Sequence, residues 1–259
     1  MQIEAFGLSD VGKNRTLNED NICFLPEEKI FIVADGLGGH SSGEVASAIA
    51  VNTVRDFILD SKKDADITWA FGINPDLSWD TNRVLNGIRL ANQKIFLEGS
   101  SDLSKKNMAS TIVVVVITDN EASIAHVGDS RIYLFNGNVI QQISNDHSLV
   151  AEQLKDNLIT NEEASNSNYK NVITRALGIK ETVEADFQEI LLDSGTYLLL
   201  CSDGLTNMLN DQEISAIVTD LNMNLTDKCE TLINKANENG GIDNISVVLI
   251  QCSHQNSTD

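Results

Sequence analysis

Three aspartates share a local setting in which a carboxylate does chemistry. Asp35 follows the apolar run Ile30–Ala34 and precedes Gly36, and Asp203 follows Leu198–Ser202 and precedes Gly204. Asp243 comes after Gly240-Gly241-Ile242 and just before the apolar run Ile245–Ile250. Runs of this length and composition predict buried strands. A carboxylate at the end of such a strand is costly unless it is paired. The adjoining glycines remove side chains that would block a ligand from the backbone. A hard divalent cation such as Mn²⁺ or Mg²⁺ meets both conditions, because it takes oxygen ligands. Any one of the three reads as an Asp-Gly turn; three on strongly apolar strands point to a metal centre.

Other chemistries fit less well. Gly39-His40-Ser41-Ser42-Gly43 matches the Gly-x-Ser-x-Gly form of a serine esterase elbow, but Asp35 to Gly39 separate that serine from its strand. Ser41 with Glu44 reads better as a helix capping box. The glycine turn lacks the Lys-Ser/Thr of a phosphate-binding P-loop. Cys201 reads as a core thiol, and His126 and His147 as structural histidines without a partner at ligand spacing.

The elements that must position the aspartates follow from pattern. Strands are predicted over residues 3–8, 21–25 and 30–34. Helices then follow from Ser41 and over the apolar positions Val84, Ile88, Ala91 and Ile95. Two consecutive helices after three strands disfavour a doubly wound parallel sheet. Residues 111–118, 122–127, 132–135 and 139–143 read as four strands joined by short turns, hence antiparallel neighbours, with Asn136-Gly137 as a hairpin signal. Residues 145–171 are polar and read as a mobile surface lobe with short helices near Ser148 and over 161–165. Strands at 183–190, 196–201 and 245–250 and helices opened by Asn210 and Leu225 complete the chain. One domain over residues 1–252 is expected, with a polar tail at 253–259.

The 259 residues carry 18 lysines and arginines against 38 aspartates and glutamates, a net charge of -20. Such a surface repels nucleic acid and anionic membrane. Cys23, Cys201, Cys229 and Cys252 are scattered, which argues against a zinc ribbon or disulfide scaffold and fits a reducing compartment. No apolar run reaches membrane-spanning length, so a cytoplasmic protein is expected.

Several stretches, in order along nearly the whole chain, resemble the metal-dependent 2C-type serine/threonine protein phosphatases (the PPM family), particularly their compact bacterial members. They are Ser9-Asp10-Val11-Gly12 with Arg15 and Asn18-Glu19-Asp20, Val33–Gly39, Gly128-Asp129-Ser130-Arg131, Asp146-His147-Ser148, Thr174–Gly178, Cys201–Leu205 and Gly240–Asn244. The resemblance implies an α+β fold, a four-layer α-β-β-α sandwich with two central, mainly antiparallel sheets and a dinuclear Mn²⁺ or Mg²⁺ centre between them. By position it implies that Asp35 bridges two ions, that the Gly36 carbonyl binds the second, and that Asp203 and Asp243 hold the first. Glu19 and Asp20 would act through bound water, and Asp129, shared with Asp203, would serve a third, weaker ion. Arg15 would grip the phosphate while hydroxide bridging the two ions attacks phosphoserine or phosphothreonine. Leu37 stands where some relatives carry a histidine, and His40 is not assigned as the general acid. The implied partners are phosphoproteins, targets of a serine/threonine kinase, with the phosphatase a monomer. A pseudophosphatase acting as a binding module is the rival reading, which the presence of all three principal aspartates disfavours.

Overall fold

β-Branched and aromatic residues dominate the strands, and apolar positions at helical spacing mark the helices. In the computed structural model, which describes residues 1–253 apart from 39–41, 65, 103–104, 138, 166, 168 and 170–171, these signals become two sheets flanked by helices. The chain opens with β1 (Gln2–Asp10), β2 (Asp20–Leu25) and β3 (Ile30–Leu37), followed by the long helices α1 (Ser42–Lys63) and α2 (Trp79–Ser101). A strand block comes next: β4 (Ala109–Ser110), β5 (Ile112–Thr118), β6 (Glu121–Val127), β7 (Arg131–Asn136) and β8 (Val139–Gln142). After the short helices α3 (Leu149–Lys155) and α4 (Asn161–Ser165) come β9 (Asp186–Leu191) and β10 (Tyr197–Cys201). Helices α5 (Asp203–Thr206), α6 (Asp211–Val218) and α7 (Leu225–Glu238) lead to β11 (Ile245–Ser253).

One sheet has the order β1-β11-β10-β7-β8, and the other β2-β3-β5-β6-β9 with β4 against β3. Every strand pairing in them is antiparallel. The sheets pack face to face through Phe31, Val33, Val113 and Val115 of one and Ile132, Leu198, Leu200 and Val248 of the other. The outer face of the second sheet packs on α1 and α2 through Val54, Ile58, Ile88 and Ile95. The outer face of the first packs on α6 and α7 through Ile214, Ile217, Leu232 and Ile233. These are the four layers of the expected α+β sandwich.

One expectation is corrected. β5 to β8 do not form a single run of antiparallel neighbours: β5 pairs with β6 and β7 with β8, but β6 and β7 belong to different sheets. The Gly128-Asp129-Ser130 turn therefore crosses between sheets rather than closing a hairpin. Gly128 has φ +104, and a Cβ there would lie 2.6 Å from the Thr111 side chain, so the crossing requires glycine.

Smaller differences concern boundaries. β9 begins at Asp186 rather than Val183, and Asp203 opens α5 rather than only trailing a strand. The Asn210 capping box forms, with Glu213 completing it. Its proposed counterpart at Ser41 lies outside the described residues, as does the tail beyond Ser253. Lys228, in the apolar stripe of α7, is fully buried. Its ammonium donates to the Val218 carbonyl at 2.7 Å, at the C-terminus of α6, and lies 4.4 Å from the Tyr197 ring centroid.

Core packing between the sheets predicts where stability resides. Leu200→Ala is expected to cost about 2–5 kcal/mol, whereas Leu221→Ala, at a position 90% exposed, should change stability by less than about 0.5 kcal/mol. Urea denaturation followed by circular dichroism checks both.

Candidate metal centre

Antiparallel register creates the first half of the site. Asp20 at the start of β2 stands directly opposite Asp35 on β3, so both carboxylates project from the same face. The β3 end is fixed by Thr111, whose Oγ1 accepts the Asp35 N–H at 3.0 Å and whose own N–H donates to the Asp35 carbonyl at 2.8 Å. Gly36 is needed for close approach: a Cβ there would come within 2.1 Å of the Gly43 carbonyl and 2.5 Å of that of Glu19. A Cβ on Gly43 would in turn lie 2.7 Å from both Glu19 Oε1 and the Gly36 carbonyl oxygen, so those two oxygens converge at the start of α1.

The other sheet supplies the second half. β10 and β11 pair up to Cys201 and Val247, and the Ser202 N–H extends the ladder to the Ser246 carbonyl at 3.1 Å. Asp203 and Asp243 lie just past that ladder. Ser202 links the halves by donating through Oγ to Asp20 Oδ2 at 2.8 Å. Asn244 holds the 11–19 loop: its Nδ2 donates to the Val11 and Leu17 carbonyls, and its Oδ1 accepts the Glu19 N–H at 2.8 Å. That loop carries Arg15, whose Nη2 donates to Asp243 Oδ2 at 2.8 Å while its side chain stays 49% exposed.

The electrostatics show how tightly the acids converge. Burial pushes the Asp35 carboxyl well above the usual carboxylate range, and Asp20, Asp203, Asp129 and Asp243 each push it further. Asp20 is raised to about 7, chiefly by burial, with Asp203 and Asp243 adding to the shift against hydrogen bonds from Ser246 and Ser202. Asp129 is also raised to about 7, by burial and then by Asp203 and Asp146. Burial is the leading cause for Asp203 too, followed by Asp243. Among the described residues, Asp20 Oδ1, Asp129 Oδ1 and Asp203 Oδ1 are buried carboxylate oxygens without a hydrogen-bond partner. Orphaned oxygens among mutually repelling acids fit divalent cations, and the all-oxygen donor set fits Mn²⁺ or Mg²⁺.

The structure thus brings Asp35, Gly36, Glu19, Asp20, Asp129, Asp203, Asp243 and Arg15 to one cleft. Sequence reasoning assigned no role to Thr111, Ser202 or Asn244, which hold the carboxylates in place. Ser202 and Asn244 stood within the Cys201–Leu205 and Gly240–Asn244 stretches, but nothing local marks Thr111, whose partner Asp35 is 76 residues away, or ties Ser202 to Asp20, 182 residues away. Leu37 pairs with Ala109 and lines a pocket of about 520 Å³ with Ile173, Thr174 and Arg175. His40 lies outside the described residues. Cys201 is buried and its thiol is pushed up to about 12 by that burial, in keeping with a core role.

The expectation that His126 and His147 lack a partner at ligand spacing is corrected. Their rings stack with centroids 4.9 Å apart, and together with Asp186 they offer donor atoms within 4.8 Å of one another. His147 reaches the turn that carries Asp129 by accepting the Gly128 N–H at 3.0 Å, and the Arg175 guanidinium occupies the space beside the ring, 2.6 Å from Asp186 Oδ1.

A two-sheet sandwich with an oxygen-lined, strongly acidic cleft is the architecture of a metal-dependent hydrolase. Residues 12–238 match the family model of protein phosphatase 2C. The chain is 40% identical over 253 residues to protein phosphatase PhpP of Streptococcus pneumoniae, covering 96% of this chain and 98% of that protein. It superposes on the serine/threonine phosphatase of S. agalactiae with a TM-score of 0.83 at 38% identity, covering 97% of this chain and all of the other. The catalytic domain of the phosphatase PstP, solved in complex with two manganese ions, matches with a TM-score of 0.81 at 28% identity over 97% of this chain and 99% of that one. The chain belongs to the protein phosphatase 2C family, and it is a serine/threonine protein phosphatase of the bacterial type.

The acid cluster gives the metal-free protein a definite pH response. Asp20 and Asp129 hold protons in the fold up to about pH 7 but release them near pH 4 when unfolded. Between those limits the folded state binds more protons, so stability falls as pH rises. The melting temperature in EDTA is expected to drop by a few degrees from pH 5.5 to 7.5, and Asp129→Asn should lessen the drop. Differential scanning calorimetry reads both effects.

Proposed function

We propose that the chain hydrolyses phosphoserine and phosphothreonine in proteins, using two Mn²⁺ or Mg²⁺ ions held by Asp35, the Gly36 carbonyl, Asp203 and Asp243. The observation that carries this reading is the convergence of Asp20, Asp129, Asp203 and Asp243 on Asp35 in a cleft with orphaned carboxylate oxygens. When bound, such ions activate water near neutral pH and neutralise charge on the phosphoryl oxygens.

The chain's own residues do the rest. Asp35, which feels Asp20 from its own sheet and Asp203 and Asp243 from the other, would serve both ions. Glu19 and Asp20 flank it and tune the ligands through hydrogen bonds and water. Asp129 sits on the sheet-crossing turn and, with Asp203, offers oxygens for a third, weaker ion. Arg15 orients the phosphate, since a guanidinium matches two phosphate oxygens at once. No covalent phosphoenzyme is required, consistent with the inert Cys201. Leu37 has no titratable group, so the side chain after Gly36 does not protonate the leaving oxygen.

We assign residues 145–171 to substrate recognition; α3 lines a separate pocket of about 810 Å³ together with Arg131, Asp146 and His147. The substrates are phosphoproteins produced by serine/threonine kinases. Among the described residues no helix is long and apolar enough to cross a membrane.

The decisive assay measures phosphate release from a phosphothreonine peptide with Mn²⁺, with EDTA, and for Asp35→Asn. Activity should require the metal and fall by at least about a thousandfold in the variant, a loss of roughly 4 kcal/mol or more of transition-state stabilisation. Absence of metal-dependent release from the unmutated protein defeats the reading. For the binding-module alternative, a fold kept without the metals, the test is calorimetric titration with Mn²⁺, and tight binding at two sites counts against it. Arg15→Lys should keep the charge yet raise KM, because lysine cannot offer the fork. Amides of residues 149–165 should exchange faster than those of β5 and β10.

A further inference from the structure

The stacked histidines near the sheet crossing have a hydrogen-bond pattern that fixes their protonation. His147 Nδ1 accepts the Gly128 N–H at 3.0 Å, so that nitrogen carries no proton. The proton of the neutral ring is therefore on Nε2, which lies 3.3 Å from Asp186 Oδ1. Arg175 Nη1 donates to the same oxygen at 2.6 Å, so its 3.1 Å approach to His147 Nε2 is a contact between two donors sharing one acceptor. Burial, His126 and Arg175 together hold the ring's pKa down at about 4, in keeping with a neutral imidazole. This tautomer also argues against a metal ion at the His126, His147 and Asp186 grouping. Ligation through Nε2 would move the ring proton to Nδ1, against the Gly128 N–H.

What the pattern does accomplish is mechanical. The His147 N–H donates to the Gly128 carbonyl at 3.0 Å, so the two residues exchange two hydrogen bonds. Beyond His147, its carbonyl accepts the Thr174 N–H at 2.8 Å, and Val172 accepts the Leu149 N–H at 2.8 Å, closing the root of the 145–171 segment. On the other side, the Ser130 hydroxyl lies 2.7 Å from Thr111 Oγ1, the group that receives the Asp35 N–H. Asp129 is carried on the turn between these two anchors.

We propose that His147, as the Nε2–H tautomer, is the positioning residue that pins the Gly128–Asp129 turn to the root of the 145–171 segment, and so sets where the Asp129 carboxylate stands relative to Asp35 and Asp203. Its consequence for metal affinity rests on the reading of Asp129 given above; the pinning itself does not. The Nδ1 atom does the pinning, and the Nε2–Asp186 contact keeps the ring in the tautomer that leaves Nδ1 able to accept.

Two variants separate these atoms. His147→Asn places an amide oxygen where Nδ1 stands and retains the acceptor for Gly128, whereas His147→Gln retains a donor toward Asp186 and loses that acceptor. In the metal-free protein, amide exchange at Gly128 should speed up about tenfold in His147→Gln, as expected for loss of one hydrogen bond, and stay within about threefold of the parent in His147→Asn. Equal exchange in the two variants, or a lowered melting temperature with Gly128 protection intact, overturns the proposal. Nitrogen-15 NMR of the unmutated ring supplies a check independent of any variant's folding: a proton on Nδ1 also overturns it.

A Mn²⁺ titration of turnover tests the consequence. His147→Gln should raise the half-saturating concentration about fivefold or more, Asp129→Ala should do the same, and the double variant should show no further increase. A shift in Asp129→Ala without one in His147→Gln counts against the proposal. If neither shifts, the assignment of Asp129 to a third ion has failed, and the Gly128 exchange result decides the pinning by itself.

Discussion

Repulsion among buried carboxylates is the constraint on which the rest of the structure depends. Asp35 feels Asp20, Asp129, Asp203 and Asp243, and each like charge adds to a desolvation cost already imposed by burial. Left to relax, such groups would splay toward water. Asp35, Asp203 and Asp243 are held because each adjoins a fully buried run, Ile30–Ala34, Leu198–Cys201 and Ile245–Ile250 respectively. The apolar sandwich supplies the free energy that keeps the acids together, and a divalent cation bound among them would relieve their repulsion.

Topology decides which acids meet. Antiparallel pairing of β2 with β3 sets Asp20 opposite Asp35, and pairing of β10 with β11 brings Asp203 beside Asp243 from 40 residues away. The turn at Gly128 then passes from one sheet to the other and delivers Asp129 to the same cleft. Serine and threonine hydroxyls join these pieces: Ser202 reaches across to Asp20, and Thr111 connects β3 to Ser130. Short hydroxyl side chains suit that work, since they bridge neighbouring strands without adding charge to an acidic site.

The sequence made legible whatever depends on local pattern. The apolar runs announced the strands, the spacing of Val84, Ile88, Ala91 and Ile95 announced α2, and Asp-Gly at strand ends announced the centre. What it concealed depends on partners far along the chain. A short turn between two strands predicts a hairpin because close strands usually pair, and nothing in Gly128-Asp129-Ser130 reveals that its strands lie in different sheets. The stacking of His126 on His147 was hidden for the same reason, as was the burial of Lys228, whose partners Val218 and Tyr197 lie on α6 and β10. The ligand roles themselves came through resemblance; the structure adds that the residues concerned converge.

The acid excess bears on how an anionic substrate reaches this cleft. With a net charge of -20, the surface opposes a phosphoprotein at long range, but at physiological ionic strength that repulsion fades within about 8 Å. Recognition must then be local and cationic. Arg131 is committed to Asp146 through three contacts of 2.7–3.1 Å, and Arg175 to Asp186 at 2.6 Å. Arg15 differs: it meets Asp243 through Nη2 alone and keeps half of its side chain exposed. A guanidinium has five N–H donors in a fixed plane, so one anchored edge leaves the others directed outward. The same contact that ties Arg15 to Asp243 therefore leaves donors free for the phosphate role proposed above, and a lysine anchored there would have no second edge to offer.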